Sequence, residues 1–308
     1  MDKKVIVALS IHYPLTMARY FEHAFRLRDD VEYITVGPYT GTWIPWMGGI
    51  HLNSQYANPP DIVFPQHVPS SFPYELVAAE LGKRCIVPDA VLNIDAGIHW
   101  AKRPNVKCPV VHIATDPHCL DYSVPRTYSD YFFNMQSAYM CHGDLHLPYA
   151  FDDTWCYKEQ AEKRFDAVLV GMPYVNRINL INELRRCGLT VAFENGPVFD
   201  EYRKINNSAT VGLNYSSLND LTCRVFEIMG MGLVPVINNV PELSSHFVNG
   251  EHYLGFDTQS EAVEYVLDAV KNEKKYDNLR VAAMELVHSA HTYRHRVQQI
   301  MESVFYAN

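Results

Sequence analysis

The chain has 308 residues, 48% hydrophobic and 20% charged, with a net charge of −9. That length suits two α/β domains of roughly 150 residues each, and no apolar run approaches the roughly 20 residues of a membrane span. The acidity disfavours a broad nucleic-acid footprint, and seven scattered cysteines with no CxxC read as reduced thiols, so the expected setting is cytoplasmic.

The first four residues and the apolar run 5–9 are too short for a signal peptide and read as a first buried strand. Residues 15–28 follow as a helix with Phe21 and Phe25 inward. Further strand candidates are 31–37, 61–64, 84–87, 109–115 and 131–133. Residues 38–60, rich in glycine and proline, interrupt that pattern. A loop this long in a compact domain is functional or disordered, and its aromatic content disfavours disorder. Stacking on a sugar or base is open to Trp43, Trp46 and Trp100, although loop packing explains them better.

The strand at 109–115 carries His112 and runs into Thr115-Asp116-Pro117-His118. Ligands of open α/β sheets bind at the carboxyl ends of strands. Asp116 is therefore a candidate general base or orienter of an acceptor hydroxyl, and His118 a candidate phosphate or sugar contact, with His12 similar after the first strand. An Asx turn before Pro117 explains Asp116 about as well. Histidines and cysteines at 112, 118, 119, 141, 142 and 146 lack a metal-ligand spacing, so no metal is expected.

After a linker at 148–164 the alternation becomes cleaner. A strand at 167–171 leads to a helix at 176–187 with Leu180, Ile181 and Leu184 inward and Gly188 as its stop. Strands follow at 189–193 and 209–214, a helix from Ser217 to about 230, and a strand at 233–238. A short helix near 241–248, a strand at 252–256 and a helix opened by the capping box Thr258 to Glu261 continue the series. A last helix spans 292 to about 305. Strands and helices alternating at this spacing imply parallel strands with right-handed crossovers.

The chemistry concentrates around the end of the strand at Asn214. A polar turn with Ser216 and Ser217 entering a helix presents free backbone N–H groups and a positive dipole end, which suit phosphate. Arg224 and Glu227 lie three apart on one helix face. A guanidinium can fork onto pyrophosphate, and a carboxylate can accept from both ribose hydroxyls. A surface i,i+3 ion pair is the plainer explanation of the same spacing. There is no Asp-x-Asp, no GxGxxG and no Walker A loop, so a diphosphate would have to be neutralised by the protein itself.

The run Arg224-Val-Phe-Glu227, then Gly232 to Val236, Pro241-Glu242-Leu243, Val248-Asn-Gly250 and Leu254-Gly-Phe256, resembles the donor domain of family 1/4-type glycosyltransferases. It is particularly similar to their CgeB-like branch, named for a spore-maturation protein. The likeness covers about 165–300 well and the first half loosely. It implies a GT-B fold of two Rossmann-like doubly wound domains facing across a cleft. The acceptor domain would span 1–150, the donor domain 165–290, and a helix at 291–308 would cross back. It further implies metal-independent, retaining transfer of a hexose from a nucleoside diphosphate sugar, a UDP-sugar before others, with no other cofactor. Glu227 would be the ribose ligand and Arg224 a diphosphate ligand. Gly171-Met-Pro-Tyr-Val-Asn-Arg177 resembles the family's glycine…arginine element and adds Gly171 and Arg177 to the phosphate site. Asn214, Ser216, Ser217 and Leu221 complete the expected donor turn. The chain departs from the pattern at Leu233-Val234 before Pro235, and at Ser10-Ile-His12-Tyr-Pro where a glycine-rich first loop is usual. The acceptor stays open among glycan, small molecule and modified nucleic acid. The alternatives are a nucleotide-sugar epimerase of the same fold, a phage-type DNA-base glucosyltransferase and a two-lobed binding protein.

Overall fold

The structure, a computed structural model, describes residues 3–13, 16–41, 43–44, 50–51, 58–64, 71–94, 97–216 and 218–306. The chain divides into two compact units, Met1–Pro148 with Tyr293–Asn308, and Tyr149–Thr292. Among the described residues no helix is long and apolar enough to cross a membrane.

The first unit is built on seven parallel strands: β1 (Lys4–Leu9), β2 (Val31–Pro38), β3 (Ile62–Phe64), β4 (Ala90–Ile94), β5 (Val110–Ala114), β6 (Tyr131–Asn134) and β7 (Leu145–His146). Their order is β7-β6-β5-β4-β1-β2-β3, reversing between β1 and β4 as in a doubly wound sheet. Parallel strands covered on both faces must be apolar almost throughout, and β4 and β5 are buried along their whole length. Helix α1 (Ala18–Arg26) buries Phe21 and Phe25. The final helix, Tyr293–Met301, belongs to this unit, where the Tyr293 ring stacks on Tyr20 at 5.0 Å and meets the edge of Phe21.

The stretch 84–87 is not a strand. Helix α2 (Tyr74–Lys83) ends there, with Cys85 in the left-handed region at φ 56° and the Ile86 N–H returning to Leu81 O. This is a helix stop, and its apolar residues look like a strand only in one dimension. The remaining helix of this part is α3 (Ser123–Tyr128). Trp100 is fully buried against Phe72 and Tyr74, a packing role. Trp46 and the side chain of Trp43 lie outside the described residues.

The second unit holds five parallel strands, β8 (Phe165–Val170), β9 (Val191–Glu194), β10 (Ala209–Asn214), β11 (Val234–Asn238) and β12 (Leu254–Phe256), in the order β9-β8-β10-β11-β12. Its helices are α4 (Val175–Arg186), α5 (Phe199–Asn207), α6 (Cys223–Gly230), α7 (Gln259–Lys271) and α8 (Asp277–Ala290). Leu180, Ile181 and Leu184 of α4 join Val211, Leu213, Val234 and Val236 in one core. Gly188 stops α4 at φ 87°, and Thr258 and Glu261 form the capping box of α7. The short helix expected at 241–248 shrinks to the 3₁₀ turn Leu243–Ser245.

Two histidines of the first unit are buried without charge. His112 in β5 stacks flat on Phe132 at 5.1 Å with neither ring nitrogen hydrogen-bonded. His12 meets Ser10 Oγ at 3.0 Å. Burial first, then neighbouring positive charge, takes both from the ordinary 6.5 down to about 3. The unfolded chain therefore binds these protons at a pH where the folded chain does not. Their stabilising contribution is complete above pH 6.5 and is lost as pH falls from there towards 3. Each should steepen the loss by up to about 1.4 kcal/mol per pH unit. Urea unfolding between pH 6.5 and 5 should show this slope, and His112→Leu should remove about one proton's share of it; an unchanged slope would contradict the assignment.

Candidate functional site

In the second sheet the chain leaves β8 towards β9 on one side and returns to β10 on the other. That reversal makes the carboxyl ends of β8 and β10 the switch point, the place where such sheets leave a crevice. The residues there are Gly171, directly after β8, and Asn214, the last of β10.

Two arginines reach this point. Arg224, in the first turn of α6, donates from Nε to Val170 O at 2.7 Å and from Nη1 to Asn214 Oδ1 at 2.8 Å. Arg177, in the first turn of α4, donates from Nε to Tyr215 O at 2.8 Å and from Nη1 to Met172 O at 3.0 Å, with its guanidinium 4.8 Å from the Tyr174 ring. Both guanidiniums lie over Gly171, where a Cβ would come within 2.5 Å of Arg224 Nη2 and 3.2 Å of Arg177 Nη1. Glycine is required there by space as well as by its φ of 154°. Among the described residues the hydrogen-bond partners of the two guanidiniums are all carbonyl or amide oxygens, none a carboxylate. Arg177 is 5% exposed, and burial, followed by the charge of Arg224, pulls its pKa down to about 10. Two like charges, Arg177 buried and Arg224 partly buried, lie close together over Gly171, an arrangement that favours an anion.

The turn between β10 and α6 is tied to the neighbouring strand. Asn238, ending β11, accepts the Ser216 N–H at 2.7 Å, and Thr222 Oγ1 donates to Asn214 Oδ1 at 3.0 Å. Ser216 Oγ donates to the Asp220 carboxylate and accepts the Asp220 N–H at 3.0 Å. The helix consequently begins at Cys223 and not at Ser217. Asn219 sits at φ 56°, and the Ser216–Asp220 ring closes a turn that competes with helix. Two N–H groups expected to be available for phosphate, those of Ser216 and Asp220, are already engaged. Ser217 lies outside the described residues. Leu221 is fully buried, so its side chain is core and only its backbone can serve a ligand.

One turn along α6, Glu227 is 4% exposed and its Oε2 accepts a 2.7 Å hydrogen bond from the Tyr202 hydroxyl. Burial and then the charge of Glu227 hold the Tyr202 pKa well above its usual 10, so the phenol remains a donor. Arg224 and Glu227 thus have separate partners, and the surface ion pair is not what their spacing serves.

In the first unit, Asp116 follows β5. Thr115 Oγ1 donates to its carboxylate at 3.0 Å, and its carbonyl accepts from the Cys119 and Leu120 N–H groups, closing the turn around Pro117. His118 Nδ1 lies 3.3 Å from Gln136 Nε2, which joins the ends of β5 and β6. His112 is separated from them by its place inside the sheet. Among the described residues no three of the histidines and cysteines at 112, 118, 119, 141, 142 and 146 gather within ligand reach of one ion.

Tyr202 and Asn238 are the side chains that sequence reasoning missed. Asn238 had a signal, a polar residue ending an apolar strand beside Asn214. Tyr202 sits in a helix whose inward face is Tyr202, Arg203, Asn206 and Asn207, and so shows no apolar stripe.

Residues 158–302 match the family model described as "Glycosyl transferase-like". No curated protein sequence matches the chain. Three solved structures overlay nearly the whole chain. Sucrose-phosphate synthase from Thermosynechococcus elongatus shares 11% identity at a TM-score of 0.67, covering 99% of this chain and 100% of that one. Anabaena Alr3699/HepE, in complex with UDP and glucose, shares 12% at 0.63, covering 97% and 98%. An alpha-glucosyltransferase in complex with UDP-glucose and DNA containing an abasic site shares 11% at 0.63, covering 99% and 100%. At such identities the likeness is one of fold, and that fold is GT-B.

Gly171→Ala is expected to lower the melting temperature through backbone strain and, in the fraction that remains folded, to weaken pyrophosphate binding about tenfold in calorimetry, because the methyl group displaces the Arg224 guanidinium. Equal affinity in the two proteins would contradict an anion site at this glycine.

Proposed function

We propose that this chain, a glycosyltransferase of the GT-B fold, takes a hexose from a nucleoside diphosphate sugar held at the switch point of its second unit. The observation that carries the reading is the pair of guanidiniums over Gly171 with no carboxylate hydrogen-bonded to either among the described residues. Asp220 only partly offsets the Arg177 charge, so a diphosphate is a counter-charge this arrangement suits, and charge builds on that group as the glycosidic bond breaks. Fixed donors at a leaving group act most strongly in the transition state, each worth roughly 3 kcal/mol or about a hundredfold in rate. Arg177 and Arg224 supply that positive charge from the chain itself, and we assign no cation to the step.

Glu227 is the ribose ligand in this reading, its carboxylate accepting from the sugar hydroxyls. Asn214, Ser216 and the Leu221 backbone are assigned to the same place, and Ser217 is added to them from the resemblance alone. UDP-glucose is the donor to test first, since the Anabaena protein was solved with UDP and glucose and the alpha-glucosyltransferase with UDP-glucose. The resemblance to the CgeB-like branch favours retention, in which leaving-group stabilisation matters more than any single base. Asp116 and His118, at a strand end of the first sheet, are assigned to the acceptor. Seven scattered cysteines with no CxxC suit a reducing compartment, and we assign the enzyme to the cytoplasm.

DNA as acceptor is a second reading, favoured by the overlay with the DNA-bound alpha-glucosyltransferase and opposed by a net charge of −9. Binding to hydroxymethylated duplex that weakens steeply with salt would support it.

Arg224→Ala and Glu227→Ala should each lower kcat/KM with UDP-glucose by at least about a hundredfold while circular dichroism stays native, and EDTA should leave wild-type turnover unchanged. Undiminished transfer by both variants would contradict the site. An epimerised sugar nucleotide formed without any acceptor would contradict the reaction.

A further inference from the structure

Helix α5 buries a polar face, which is costly unless each group finds a partner. Arg203 donates to Glu159, Asp200 and Trp155 O. Asn206 and Asn207 return to the backbone of their own helix, and Asn207 also binds the Tyr157 carbonyl and the Glu159 N–H. These bonds fix α5 against the segment 155–159. Tyr202 is different: its hydroxyl leaves the helix and crosses to Glu227 on α6. A phenylalanine would fill the same volume, so the hydroxyl is there for the carboxylate.

We infer that Tyr202 is a positioning residue for donor binding, its hydroxyl fixing the orientation of the Glu227 carboxylate that receives the ribose. The inference rests on the reading of Glu227 as ribose ligand. A glutamate has three rotatable bonds, and a fixed donor at one oxygen favours the rotamer in which the carboxylate meets the sugar. The phenol keeps its proton beside the buried negative charge and so donates across the pH range in which the enzyme would work.

Titration calorimetry with UDP and with 2′,3′-dideoxy-UDP separates this role from a merely structural one. The wild type should bind UDP at least about tenfold more tightly than the dideoxy analogue, the size expected for hydrogen bonds to a charged group. In Tyr202→Phe that preference should fall to about threefold or less, with affinity for the dideoxy analogue held within about twofold. If the variant keeps the full preference, or if both ligands weaken equally, Tyr202 only packs and the inference is overturned while Glu227 stands. If the wild type itself shows no preference, the ribose assignment fails and takes the inference with it. Should the phenylalanine variant be too unstable to titrate, replacement of Tyr202 by 3,5-difluorotyrosine preserves shape and makes the phenol a stronger donor. The preference should then shift by more than about twofold, and an unmoved ratio would overturn the inference.

Discussion

The second unit depends on an electrostatic constraint: the buried Arg177 and the partly buried Arg224 lie close together, and among the described residues neither guanidinium is hydrogen-bonded to a carboxylate. Burial disfavours a charge and a second like charge disfavours it further, which is the combination that lowers Arg177 to about 10. The unit tolerates this because every visible hydrogen bond from the two guanidiniums goes to an oxygen already fixed by the sheet or by the turn after it. Val170 and Asn214 are strand-end residues, and Met172 and Tyr215 follow within two residues of a strand. The side chains are therefore preorganised before any ligand arrives, and the unfavourable electrostatics become favourable when an anion does.

Several local features follow from that constraint. Gly171 must lack a side chain, since both guanidiniums occupy the space a methyl would fill. Asn214 must be an amide, because it accepts from Arg224 and Thr222 at once, and an acid there would cancel the charge. The turn after it is held by Asn238 and by the Ser216–Asp220 pair, which delays α6 until Cys223 and puts Arg224 in the first helical turn. One turn later Glu227 is buried with its own donor from α5.

Much of this was legible in the residues. Apolar runs separated by helical stripes located ten of the twelve strands that build the two sheets; the one at 90–94 was displaced to the apolar helix stop at 84–87, and the two-residue strand at 145–146 is too short to show a pattern. The arginine, glutamate and glycine around the switch point stood out in sequence because their spacing is local and their chemistry is specific. What stayed hidden was three-dimensional. Helix α5 escaped because its inward face is polar, and with it went Tyr202. The helix start at Ser217 was misplaced because serine, asparagine and aspartate favour caps and turns alike, and only tertiary partners decide between them. His112 stood out in sequence as part of a functional-looking motif, yet alternation along β5 turns it into the layer that packs on Phe132.

The most direct measurement is a crystal structure of the protein grown with UDP and a chelator. Diphosphate oxygens within about 3 Å of both the Arg177 and Arg224 guanidiniums, above Gly171, with the ribose hydroxyls on Glu227, are the expected result. A nucleotide bound elsewhere, or a diphosphate that reaches the protein only when a divalent cation is restored, would contradict it.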